Sequence, residues 1–128
     1  VRAGRDAVIL AIDHVQVAAP PGCEERARAF YAGALGLTEV PKPAEIAARG
    51  GCWFESGAVH VHVGVEAEFR PARKAHVGFR VADLDALVAR CRTLGFAPTE
   101  IETRGGERRS ITVHTLDRNA TLRKPVGV

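Results

Sequence analysis

The chain has 128 residues, 46% hydrophobic and 26% charged, with 18 Lys+Arg against 15 Asp+Glu for a net charge of +3. That is the length and composition of one globular domain able to bury a core without a disulfide or metal staple, which excludes disorder. The arginines form no basic stripe, no apolar run approaches the about 20 residues of a membrane span, and Cys23, Cys52 and Cys91 stand far apart without a CxxC pair; nucleic-acid binding, membrane insertion and a zinc knuckle are therefore not expected, and the cysteines read as small core residues of a reducing compartment.

In chain order, VILAIDHVQVAA reads as a strand from Val8 to Ala19, stopped by Pro20 and Pro21. No long apolar leader or cleavage site accompanies the opening VRAGRDAVILAIDH, so a cytoplasmic location is expected. CEERARAFYAGALG then sets Ala27, Phe30, Tyr31, Ala34 and Leu35 at helical spacing, with acidic residues in the first turn and Gly36 as the stop. Leu37 to Val40 is a short strand, and PKPAEIAARG a Pro-punctuated loop with a helical turn. Cys52 to Glu55 and Ala58 to Glu66 are two further strands joined by a turn at Ser56-Gly57. In the second of these, Val59, Val61, Val63 and Val65 alternate with His60, His62, Gly64 and Glu66, which turns the valines to a core and both imidazoles to the other face.

The charged segment that follows carries Pro71, so pairing should lapse there; its Arg70, Arg73 and Lys74 read as a solvated loop. AHVGFRV forms a strand and DLDALVARCRTLG a helix, capped by Asp83, with Leu84, Leu87, Val88, Cys91 and Leu94 as its buried stripe and Gly95 as its end. FAPTEIE, RSITVHT and the shorter NATLRK are three last strands, with RGGE a hairpin turn between the first two. The two halves thus repeat one order, strand, helix, three strands, and match at HVQV with HVGF and at LGL with LGF. His14 and His76 occupy the same place in each half.

Residues His60 and His62 have α-carbons about 6.6 Å apart on one strand face, close enough to converge on an ion held at about 2.0 to 2.1 Å if facing strands supply further ligands. His14 and His76 are the facing candidates, and Gln16 shares the surface of His14, while alternation places Asp13 on the opposite face. A strand histidine is more often an ordinary surface or core residue than a ligand, and His114, without a counterpart in the repeat, is read as structural.

The segments IDHVQVA, ARAFYAGALGL, WFESGAVHVHVG and KAHVGFRVADLDAL, in this order and spacing, resemble the vicinal oxygen chelate superfamily, which includes glyoxalase I, bleomycin-resistance proteins, fosfomycin-resistance enzymes and extradiol dioxygenases. The resemblance implies an α+β fold: two βαβββ modules in tandem, forming a curled mixed sheet, or cup, with helices outside. It implies a single domain over 1–128, with module 1 at 8–66 and module 2 at 75–124 joined by a linker at 67–74, and a homodimer. By position it makes His14, His60 and His76 metal ligands, and His62, one pleat beyond His60 on the same face, a residue that lines the cavity or competes as the ligand; by its face His62 is also the nearest catalytic base. The remaining ligand of the pattern is a Glu on the last strand, where this chain ends TLDRNATLRKPVGV and has Leu122. Leucine neither ligates nor moves a proton, so the glyoxalase cycle is not expected in its usual form.

Two functions follow from this reading. One is a metal-dependent lyase, isomerase or related enzyme acting on a small oxygenated substrate, in which an all-histidine site holds a divalent transition metal (Zn, Ni, Fe or Mn) and His62, with an unperturbed pKa of about 6.5, accepts a proton. The other is a metal-free, antibiotic-type small-molecule binding protein, in which Gln16, Trp53, Phe54 and Phe79 line the cup with the histidines.

Overall fold

The computed structural model describes residues 8–105, 107–113 and 120–123. Module 1 begins with β1 (Val15–Ala19), followed by α1 (Glu24–Ala27), which runs directly into a π-helical stretch π1 (Arg28–Ala34), then β2 (Thr38–Val40), α2 (Ala44–Ala47), β3 (Cys52–Ser56) and β4 (Val59–Val65). Module 2 contains β5 (Val77–Arg80), α3 (Leu84–Thr93), β6 (Pro98–Arg104), β7 (Glu107–Val113) and β8 (Ala120–Arg123). Each half builds one four-stranded mixed sheet, ordered β1-β4-β3-β2 and β5-β8-β7-β6, so the repeat read in the sequence is a repeat of topology. In both sheets the first strand runs parallel to the last and the other pairs are antiparallel.

Alternation along β3 and β4 divides the first sheet into two unlike faces. Val61, Val63, Cys52 and Phe54 point inward and are buried, while His60, His62, Trp53 and Glu55 are only half-covered on the other side. The helical segment covers the inner face: Tyr31 tilts over Phe54 with ring centroids 5.4 Å apart, and Phe30 meets Phe96, which follows α3, edge-on at 5.3 Å. Arg26 lays its guanidinium over the Phe96 ring at 4.4 Å, and π1 and α3 touch, so one core joins the two halves. Aromatic pairs of this kind contribute about 0.5–1.5 kcal/mol each beyond the area they bury.

Local chemistry accounts for the helix limits. The Asp83 carboxylate accepts the Ala86 N–H at 3.1 Å, capping α3 as its position suggests. At the other end Gly95 takes φ +85°, a left-handed turn that lets the Phe96 N–H return to the Cys91 carbonyl at 2.8 Å. Helix one widens to π geometry because the Leu35 N–H reaches the Phe30 carbonyl, five residues back, at 2.9 Å. Arg28 of π1 holds Glu39 of β2 through two contacts, at 2.7 and 3.2 Å.

Several element limits differ from expectation. The first strand starts at Val15, not Val8, because its ladder with β4 begins at Val15 opposite Val61; Val8, Ile9, Leu10 and Ile12 are 76–95% exposed. Leu94, placed in the buried stripe of α3, is 43% exposed beyond the end of the helix, whereas Leu84, Val88 and Cys91 are buried. The last three strands shift by one to two residues, to Pro98–Arg104, Glu107–Val113 and Ala120–Arg123. His114 lies outside the described residues. All three cysteines are buried and free, and no helix among the described residues is long and apolar enough to cross a membrane.

Candidate functional site

The open face of the first sheet is organised by register. Across β1, β4 and β3, Gln16, His62 and Trp53 lie in one row, and His60 faces Glu55 in the next. Strands in register bring side chains to about 5 Å of one another, which is stacking distance for flat rings. The rings use it: His62 lies on Trp53 with centroids 3.8 Å apart and planes 1° apart, and His14 stacks on His62 at 4.2 Å and 18°. Gly64 keeps the neighbouring position open, since a β-carbon there would come within 3.1 Å of the Gln16 amide.

Each expected metal ligand has its Nδ1 engaged by an oxygen. His14 Nδ1 lies 2.9 Å from Asp13 Oδ2, His60 Nδ1 lies 3.2 Å from Glu55 Oε2, and His76 Nδ1 lies 2.9 Å from the Lys74 carbonyl. A carbonyl or carboxylate only accepts, so at His14 and His76, where the contact is a hydrogen bond, Nδ1 is the donor. Oxygen partners of this kind fix the tautomer and orientation of metal-binding histidines. Asp13 corrects the alternation argument: it and His14 precede β1, so the strand rule does not separate them, and its carboxyl is held below the usual carboxylate range first by the hydrogen bond to His14.

His62 differs in its surroundings. Burial among the rings pushes its pKa below 6.5, with the neighbouring His14 adding to the effect, so the neutral base form is favoured.

The remaining expected residues are distributed differently. His76, just before β5 as His14 is just before β1, lines with Gln16, Phe69 and Arg70 a hollow of about 320 Å³ beside β1. Among the described residues, no three His, Cys, Asp or Glu side chains gather as a group that could hold a metal ion. Phe54 is fully buried on the inner face and Phe79 packs against the core, so of the aromatic residues expected to line a ligand site only Trp53 belongs to the open face. Leu122 pairs with Phe79, while Thr121 and Arg123 pair with Gly78 and Arg80. Sequence reasoning did not foresee Asp13 and Glu55; a carboxylate adjacent to a histidine in sequence, and one opposite a histidine in an antiparallel ladder, are the signals that point to them.

No protein-family model matches the chain, and no curated protein matches it at a significant level. Among solved structures, a glyoxalase family protein from Bacillus anthracis shares 39% identity, over 91% of this chain and 95% of that one, with a TM-score of 0.73. The fold is also similar to that of the fosfomycin resistance protein FosX from Listeria monocytogenes, complexed with Mn(II) and 1S,2S-dihydroxypropylphosphonic acid, at 15% identity, 94% and 95% coverage and a TM-score of 0.75. Lactoylglutathione lyase from Agrobacterium tumefaciens is similar in the same sense, at 18% identity, 94% and 99% coverage and a TM-score of 0.68. With its tandem βαβββ repeat and this degree of identity, the chain belongs to the glyoxalase family, within the vicinal oxygen chelate superfamily.

Proposed function

We propose that this chain is a metal-dependent lyase or isomerase of a small oxygenated substrate, with His14, His60 and His76 as ligands through Nε2 and His62 as the proton-accepting base. The observation that carries the reading is the shared arrangement of the three histidines, each with Nδ1 against an oxygen, by hydrogen bond at His14 and His76 and by ion pair at His60. Three imidazoles suit a transition metal such as Zn, Ni or Fe better than Mg, Ca or Mn. When bound, the metal supplies Lewis-acid polarisation of a carbonyl or hydroxyl oxygen. His60, fixed by Glu55, is the ligand, and His62, enclosed by two rings, is the base that stays neutral near pH 7.

The site is completed in a homodimer. Among the described residues, β1 and β5 each form one edge of their sheet, with an unpaired side, and the exposed Val8, Ile9, Leu10 and Ile12 lead into the β1 edge. Joining β1 of one copy to β5 of another covers these residues and brings a second copy's His76 toward His14 and His60. A cytoplasmic enzyme acting on a small molecule, without nucleic acid or membrane, follows from the same reading.

Metal content by mass spectrometry tests it. Wild type should hold near one equivalent per chain, and His14→Ala and His76→Ala should each lose it. Refolding the two variants together should restore roughly a quarter of the sites, because half the dimers are mixed and each mixed dimer has one intact site. No metal after incubation with Zn, Ni, Fe and Mn salts refutes the reading. That result favours a metal-free binding protein, a second reading supported by the Trp53–His62–His14 ring stack and by a last strand, ATLR, that has no carboxylate.

A further inference from the structure

A second hollow, of about 400 Å³, opens on the helical side of the molecule, where the end of π1, the start of β4, the end of β5 and the first turns of α3 meet. Its volume lies in the range of about 300–1,000 Å³ typical of small-molecule sites. Leu35, Leu37, Val59, Phe79, Val81 and Leu87 form its apolar wall. Val59 shares the inward row of β4 with Val61 and Val63, which are 0% and 2% exposed, yet Val59 itself is 41% exposed. The core is therefore left unfilled at this end, and Leu35, Phe79, Val81 and Leu87 pack on it while staying partly open.

The polar groups at the hollow are two guanidiniums, Arg80 and Arg90, with Ser56 and Asp83. The carboxylate of Asp83 is turned to the start of α3 as its cap, and Arg90 on α3 is the cation of the lining that a ligand's head would meet. An apolar wall with a cationic rim is complementary to a molecule with an apolar body and one anionic head.

We propose that this hollow is a binding site for a small amphiphilic carboxylate, its apolar body against Val59, Phe79 and Leu87 and its head on Arg90. The site is separate from the histidine face, because Val59 and His60 are successive strand residues and point to opposite sides of the sheet.

Titration with octanoate, followed by calorimetry and by backbone amide NMR, tests the proposal, with 1-octanol and acetate as controls and 4-butylbenzoate to separate an alkyl body from an aryl one. One saturable site is expected, with shifts at Leu35, Val59 and Leu87 and none at His60 or His62, and with weaker binding of both controls. Arg90→Ala should weaken octanoate about 10-fold, the loss of one charge-assisted hydrogen bond, while Arg90→Lys keeps most of the affinity. Ala86→Leu, which fills the wall without touching the charge, should also abolish binding in a protein whose circular dichroism is unchanged. Equal binding of 1-octanol, equal binding by Arg90→Ala, shifts on the histidine face, or no saturable site would overturn the proposal. So would concentration-dependent shifts at Val59 and Leu87 without octanoate, which would assign the hollow to a contact between copies.

Discussion

Replacing Trp53 by Ala tests the central claim about the open face, that His62 is held and kept neutral by rings. Trp53 stacks on His62 at 3.8 Å, an arrangement that contributes about 0.5–1.5 kcal/mol beyond area burial. Truncating a fully buried Trp costs about 3–5 kcal/mol; Trp53 is half-buried, so the expected loss is about 2–3 kcal/mol. Because it is the single Trp of the chain, urea unfolding is followed by far-ultraviolet circular dichroism. Trp53→Phe retains a ring over His62 and should lose under about 1 kcal/mol. The second readout is the NMR titration of His62: removing the indole uncovers one ring face, relieves the desolvation that is the main cause of its low pKa, and moves its midpoint upward toward 6.5. A Trp53→Ala protein within about 0.5 kcal/mol of wild type, with His62 titrating as before, would refute the reasoning.

Gly51→Ala should be among the most damaging single-methyl changes: its β-carbon would sit 2.1 Å from the Val63 carbonyl oxygen at φ +87°. Left-handed strain of about 1–2 kcal/mol and damage to the 2.7 Å bond from Gly51 N–H to Glu24 together predict a loss of about 3–4 kcal/mol in urea unfolding. Asp83→Ala removes the α3 cap and should cost about 1 kcal/mol in the same assay, with Asp83→Asn recovering most of it. The depressed pKa of His62 means that the unfolded chain binds its proton first, so the His62 contribution is fully present above about pH 6.5 and is lost as pH falls through the lower folded-state value. Fluorescence of Trp53 reports this directly, since an imidazolium on its face quenches the indole. The emission should drop with a midpoint below 6.5 in wild type and show no such step in His62→Gln.

Periodicity made the repeat, both helices and the two faces of β4 legible, because each depends on spacing within one segment. The start of β1 is not legible in this way: VILAI has strand-like residues, but the strand begins only where its ladder with β4 begins, at Val15 opposite Val61. Trp53 and Phe54 are adjacent and similar in sequence, and only their placement on opposite faces separates a stacking residue from a core residue. The ring stack depends on register between strands distant in the chain, to which no local pattern is sensitive. Asp13 escapes the alternation rule because it precedes the strand, and its carboxylate reaches the ring of His14.

The two sheets share a topology but divide the chemistry unequally. The first carries His14, His60, His62, Asp13 and Glu55 on or beside one face, with carboxylates already engaged in orienting imidazoles. The second contributes His76, and its last strand, ATLR, offers threonine and arginine beside Gly78 and Arg80 and no carboxylate at all. Under the proposed function, a proton leaving the substrate is accepted on the first sheet. Glu55 and Asp13 would have to abandon His60 and His14 to take it. In that proposal His62, stacked between Trp53 and His14 and favoured in its neutral form, accepts the proton without disturbing a ligand. Under the proposed function, the role that the family pattern gives to a last-strand Glu would divide, with ligation by imidazoles alone and proton transfer by His62 of the opposite module.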